Sequence, residues 1–332
     1  MPTRLLALLL IALVCLGSWI TTFKLTGKRW RFELFSLDFA LGTVLFSLLA
    51  AFALGNSTAE LPFSDRVLLA SKTSQALVFS GGFIFGLANL LLLGAVSLLG
   101  IAGAFPISIG LGFIIYALLH FRSYNSAAAL AGLALLTAGV LLDARACGSR
   151  DLPPSKKTVN KTLVARSLKG LIAALIGGVF LGVFYSLTEG GLYGDLGLGP
   201  YAGLLYFCLG ILISTLIFSV VFSNIALEGG SLTLRSYFAG QLRQHLFGIA
   251  GGAIWAAGVL AALLASARAS ETGWQPALVS VLSLASTLLA MLWGALIWRE
   301  FTAAPHKARL SLTGTAVLLI SSFLLIGLAH TR

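Results

Sequence analysis

Charge is what this 332-residue sequence is short of: Asp, Glu, Lys and Arg make up 10% of it, against about 25% in a water-soluble domain. Too few charges are present to solvate the surface of a soluble globule, and that class is excluded. Acids are the scarcest, 11 against 22 basic residues. Cysteine is limited to Cys15, Cys147 and Cys208, odd in number and far apart, which leaves no disulfide framework and no CxxC site. The four histidines, His120, His245, His306 and His330, are scattered. There is no HExxH, GxSxG or Walker loop and no metal-spaced His/Cys cluster. The expectation is a protein that is not an enzyme and has neither metal nor cofactor.

What fills the sequence instead is apolar: 58% of the residues are hydrophobic and mean hydropathy is +0.98. A bilayer core takes about 20 apolar residues as helix, and lipid admits only helices or closed barrels. The apolar runs are continuous Leu/Ala/Ile/Val/Phe/Gly rather than alternating, so helices are expected. Ten spans are expected: Leu5–Phe23, Leu34–Leu54, Gln75–Ala95, Leu98–Leu118, Ser126–Leu142, Leu168–Ser186, Tyr201–Phe222, Leu246–Ala265, Ala277–Ile297 and Leu310–Ala329. The fold class is therefore an all-α polytopic membrane protein. The 37 glycines suit helices that pack closely in lipid.

The net charge of +11 is read as topology rather than as nucleic-acid binding, because cytoplasmic loops collect Lys and Arg. Sixteen basic residues fall in the connections after spans one, five, seven and nine, seven of them between Arg145 and Lys169. Six (Arg4, Arg66, Lys72, Arg122, Arg268 and Arg332) fall on the other side. Both termini are thus expected outside and the central segment in the cytoplasm, in a cell membrane of the bacterial inner-membrane kind.

The two halves echo one another. Phe39–Gly42 (FALG) answers Phe207–Gly210 (FCLG) at an offset of 168 residues, and Gly81–Phe85 (GGFIF) answers Gly251–Trp255 (GGAIW) at 170. Pro106 answers Pro276 at 170, and Leu16–Ile20 answers Leu181–Tyr185 at 165. Five spans per copy is an odd number, so the second copy must enter from the opposite side. Residues 1–143 are expected to form a first five-helix repeat, 144–167 a basic cytoplasmic linker, and 168–332 an inverted second repeat.

Polar residues inside the spans are the candidates for a site. Asn89 in span three is either a solute contact or a bridge between helices. Trp19 and Trp255 are either stacking surfaces for a ligand or interfacial anchors; Tyr185 is a weaker candidate of the same kind, and Ser108 and Ser283 are weaker hydrogen-bonding ones. Pro106 and Pro276 are packing kinks or, as a matched pair, gating positions. Asp38, Glu33 and His245 are candidates for proton coupling; the plain alternative for Asp38 is an ion pair with Lys24 or Arg31, and for His245 a place at the aqueous mouth. No carboxylate is expected at the centre of a span.

The runs Trp30–Gly42 (WRFELFSLDFALG), Gly81–Gly110 and Leu292–Phe301 (LWGALIWREF) resemble the drug/metabolite transporter superfamily, most closely its ureide-permease-like and glucose/rhamnose-porter-like branch. The segment Phe105–Gly110 (FPISIG), after the helix that bears Asn89, is the most specific part. The resemblance implies ten helices in two inverted five-helix repeats, the DMT/EamA-like fold. It implies uptake of sugars or nitrogen-rich heterocycles, commonly with protons, whereas distant branches export drugs or metabolites. The expected partners are a small-molecule solute, membrane lipids and protons, with no nucleic acid, in a monomer or homodimer. A protein of another class, structural or lipid-interacting and without a transport cycle, is the further alternative. The central segment lacks the Walker-like motif of plant ureide permeases, and span nine offers only Ser280, Ser283, Ser286 and Thr287 where relatives are more polar.

Overall fold

A computed structural model describes residues 3–27, 29–56, 61–123, 126–150, 161–224, 227, 230, 232, 234–271 and 277–329. In chain order the helices are α1 (Thr3–Ser18), α2 (Ile20–Leu25), α3 (Phe32–Ala53), α4 (Phe63–Leu69), α5 (Lys72–Leu99), α6 (Ile101–Leu119), α7 (Ala127–Arg150), α8 (Lys161–Leu192), α9 (Gly199–Asn224), α10 (Leu234–Phe238), α11 (Leu242–Glu271), α12 (Ala277–Leu292) and α13 (His306–Ala329). Nine helical stretches among the described residues are long and apolar enough to cross a membrane, α1 and α2 together making one of them. Their outward faces carry large apolar side chains, with Leu49 70%, Leu141 66% and Leu324 56% exposed. Such faces would be a liability in water and are ordinary against lipid. The protein is a helical, membrane-embedded one.

The ninth expected span is helical, α12 running on into a π-helical turn at Trp293–Ile297; its apolar part among the described side chains is Ala285–Ile297. One expectation needs correction. The polar central segment is helical at both ends, because α7 continues to Arg150 and α8 begins at Lys161; a helix does not stop where its apolar run stops. Just past the apolar run of α7, at the residue after Leu142, stands a wholly buried carboxylate, Asp143. Pro276 lies outside the described residues, as does the side chain of Ser283.

The chain divides into two compact units, each drawing on both halves of the sequence: Met1–Leu90 with Val183–Thr272, and Leu91–Gly182 with Gly273–Arg332. In the first, α3 and α11 cross so closely that a Cβ on Gly252 would lie 2.0 Å from the Phe39 carbonyl oxygen, and one on Gly42 2.0 Å from that of Ile249. α5 and α9 cross in the same way, a Cβ on Gly82 meeting the Phe207 oxygen at 2.0 Å and one on Gly210 meeting that of Phe79 at 2.2 Å. Only a residue with no side chain allows backbones this near.

In the second unit α7 packs along α13, with Gly132 against the Ser322 carbonyl and Gly139 against Leu318. α5 passes into α6 through Gly100 alone, whose φ of +86° is open to glycine. The Glu300 carboxylate fills the space beside Gly100 and accepts the Ile101 and Ala102 N–H groups at 2.9 Å each. Arg166 Nη2 donates to the Ser97 carbonyl at 3.0 Å, and Arg150 donates to the carbonyls of Leu98 and Leu99 while its guanidinium lies over the Phe301 ring. An anion at the start of α6 and cations at the end of α5 are the arrangement that helix dipoles favour.

Candidate functional site

The first turns of α3 place Glu33 and Asp38 inside the first unit, both wholly buried. Asp38 Oδ1 accepts two hydrogen bonds, from the Tyr237 hydroxyl of α10 at 2.6 Å and from His245 Nδ1 of α11 at 2.9 Å. With the carboxylate as acceptor, Nδ1 is the protonated ring nitrogen. Its second oxygen, Oδ2, has no hydrogen bond among the described residues. The indole of Trp30 stands edge-on to the imidazole at 4.9 Å between ring centroids, and the phenol of Tyr237 does so at 4.8 Å. Two glycines admit this cluster: a Cβ on Gly248 would strike Asp38 Cβ at 2.3 Å, and one on Gly240 would strike the Trp30 ring at 2.4 Å. Burial first, and then the hydrogen bond and charge of Asp38, push the Tyr237 phenol above its ordinary range. Tyr237 is therefore a fixed donor at all physiological pH.

Glu33 takes the other arrangement. Arg31 donates to both of its carboxylate oxygens, Nε at 3.2 Å, and also to the Gly230 carbonyl. The ion pair anticipated for Asp38 with Arg31 thus belongs to Glu33, and Asp38 pairs with His245. Between Glu33 and Tyr237 opens a cavity of about 340 Å³ whose wall is chiefly leucine, with Leu37, Leu216, Ser219 and Phe238 among its lining. The Ser219 hydroxyl is held 3.1 Å from that of Ser36.

The aromatic candidates of the first unit come together. Trp255 stacks on Phe85 at 4.7 Å and touches Phe39 and Phe207; Trp19 meets Phe39 at 4.8 Å. Tyr185 stacks on Phe184, which in turn meets Phe85 and Phe207. Trp19 and Trp255 are buried, and Tyr185 is 36% exposed. Asn89 follows Phe85 by one turn of α5, buried, its amide oxygen without a hydrogen bond among the described residues. Ser108 and Pro106 belong to the other unit, on α6; the Ser108 hydroxyl is buried and likewise has no partner there.

Tyr237, Trp30 and Asp143 escaped sequence reasoning. Nothing local marks Tyr237, which follows α9 in a polar connection. Asp143 does carry a signal: Ala129, Leu133, Leu136, Val140, Asp143 and Cys147 repeat at alternating steps of four and three, and all are buried. Extending that helical stripe past Leu142 reaches the carboxylate.

No family model and no curated protein matches the chain. A solved structure known only as the crystal structure of a protein is similar to it with a TM-score of 0.56 at 16% identity, over 100% of this chain and 99% of that one. A likeness at that identity speaks for the fold and not for the activity.

Proposed function

We propose that this protein is a secondary active transporter of the drug/metabolite transporter type, built of ten helices in two inverted repeats. It moves a small, mostly uncharged polar solute, a sugar or a ureide- or nucleobase-like heterocycle, and couples its uptake to protons. One observation carries the reading. Copies related by a two-fold axis must exchange contacts, so that each contact between them has a twin with the roles reversed. Phe39 meets Gly252 and, reversed, Phe207 meets Gly82; Gly42 meets Ile249 and Gly210 meets Phe79. The hydroxyl of Thr22 lies against Gly251 as that of Thr188 lies against Gly81, each 2.3 Å from where a Cβ would be. Phe85 and Trp255, counterparts of one another, stack together. These twins support an inverted repeat independently of the matching letters.

Asp38 and His245 carry the coupled proton in this reading, since they share a hydrogen bond through a titratable ring; Glu33, neutralised by Arg31, shapes the entrance. Asn89, Trp19, Trp255 and Tyr185 attend the solute from the first unit, with Ser108 and Ser283 as further contacts and Pro106 and Pro276 at gating positions. Both termini lie outside and the central segment in the cytoplasm. A second reading, export of apolar drugs or metabolites, is favoured by the leucine wall of the cavity beside Tyr237.

The test is a thermal-shift screen of the purified protein against sugars, purine and pyrimidine derivatives and amino acids, followed by uptake of each hit into liposomes with and without a pH gradient. A true ligand at a hundredfold excess over Kd stabilises by about 2.7 kcal/mol, and Asn89→Ala removes that gain. Efflux in place of uptake selects the second reading; stabilisation that survives Asn89→Ala puts the site elsewhere.

A further inference from the structure

Among the described residues, Glu33 is paired with Arg31, Asp38 is bonded to Tyr237 and His245, and Glu300 is bonded to the start of α6. Asp143 differs. It is wholly buried, and neither Oδ1 nor Oδ2 has a hydrogen-bond partner among the described residues. It stands on the buried stripe of α7, between Val140, which lies against Gly110 of α6, and Cys147, which lies against Gly103. That register sets Asp143 level with Ile107, the residue after Pro106 of α6. Proline has no N–H, so the carbonyl of Ala102, one turn earlier, loses its helical donor.

The charges of the surrounding elements are turned away or already engaged. On α7, Arg145 is exposed, and Arg150 is bound to the Leu98 and Leu99 carbonyls and the Phe301 ring. On α13, His306, Lys307 and Arg309 are exposed while Ala308, Leu312 and Thr315 face inward. Arg166 and Lys169 of α8 are exposed, and α6 and α12 carry no charged residue. An unpaired carboxylate out of water is costly, and the neutral acid is the form that avoids that cost. Asp143 stands seven residues from Arg150, about 10 Å along the helix.

We propose that Asp143 is a proton-binding site, loaded in the conformation described here. Unloading breaks the carboxyl O–H bond, leaves the electron pair on the carboxylate and gives the proton to a water molecule that must first reach the carboxyl; reloading reverses each step. This is a second proton site, in the unit that does not hold Asp38 and His245, and it does not depend on what solute the protein carries.

Carbodiimides add to protonated carboxyls in apolar surroundings. The full-length protein in liposomes is treated with dicyclohexylcarbodiimide at a series of pH values from about 5 to 9, the range in which buried acids titrate, and adducts are mapped by mass spectrometry. The expected result is an adduct at Asp143 that falls at least tenfold across the series, with an Asp143→Asn variant that melts within a degree or two of the parent. No adduct at acid pH together with a large fall in melting temperature for Asp143→Asn would mean an ionised, paired carboxylate, and overturns the proposal. An adduct whose yield is flat across the series would mean a permanently protonated structural acid, and overturns it equally.

Discussion

Asp38 survives inside an apolar span because its first oxygen has two donors, and one of these, Tyr237, cannot change its charge at physiological pH. Removing a hydrogen bond to a charged group costs about 1.5–3 kcal/mol, and the Tyr237→Phe variant should lose stability of that order in detergent melts. The pH dependence separates the bond from simple packing. Because burial and Asp38 raise the phenol above its ordinary value of 10, the stability it contributes is full below that pH and declines as pH rises further. The parent should therefore lose stability on the alkaline side more steeply than Tyr237→Phe. Parallel pH profiles in the two proteins would show that the phenol is not coupled to Asp38. At this scale sequence reading did half the work. Asp38 and His245 were visible as titratable groups near span ends; that one is bonded to the other, and that Glu33 takes Arg31, depends on a contact across 207 residues.

Helices are where the chain was most legible. Apolar length fixes a span, and nine of the ten expected spans coincide with long apolar helices. Their ends were less legible, since α7 and α8 carry their helical hydrogen bonding beyond the apolar run into basic residues. Packing between helices turns on a few glycines. A Cβ at Gly82 or Gly252 would lie 2.0 Å from a carbonyl oxygen of the facing backbone, a distance that no rotamer change relieves. Gly82→Ala and Gly252→Ala should each cost about 1–3 kcal/mol or more, and by similar amounts if the two crossings are twins. Gly148→Ala, in α7 with nothing within 4 Å of the new methyl, should instead gain about 0.5–1 kcal/mol from the lower entropy of the unfolded chain. Unfolding in graded detergent mixtures measures all three, and a Gly252→Ala protein that unfolds like the parent would refute the close crossing.

For the whole molecule, the open matter is which side of the membrane each connection faces. The excess of Lys and Arg between Arg145 and Lys169 argues for a cytoplasmic central segment. Single cysteines placed at Ser155 and at Ser64, in a background lacking Cys15, Cys147 and Cys208, should separate under a membrane-impermeant maleimide. Ser155→Cys should label only after the cells are opened, and Ser64→Cys in intact cells. The reverse pattern inverts the topology.

Length, apolarity and the placing of charge settle by themselves that this chain lives in a membrane as helices, because lipid leaves a backbone no other way to satisfy its hydrogen bonds. The repeated FALG/FCLG and GG segments marked an internal repeat, and only the fold showed which of their faces meet. Which carboxylate keeps a partner was decided only by the fold. Asp38 and Asp143 look alike in the sequence, each a lone acid beside an apolar run. Tertiary packing brings a histidine and a tyrosine to the one and, among the described residues, no hydrogen-bond partner to the other, since partners so far off along the chain meet only where helices cross.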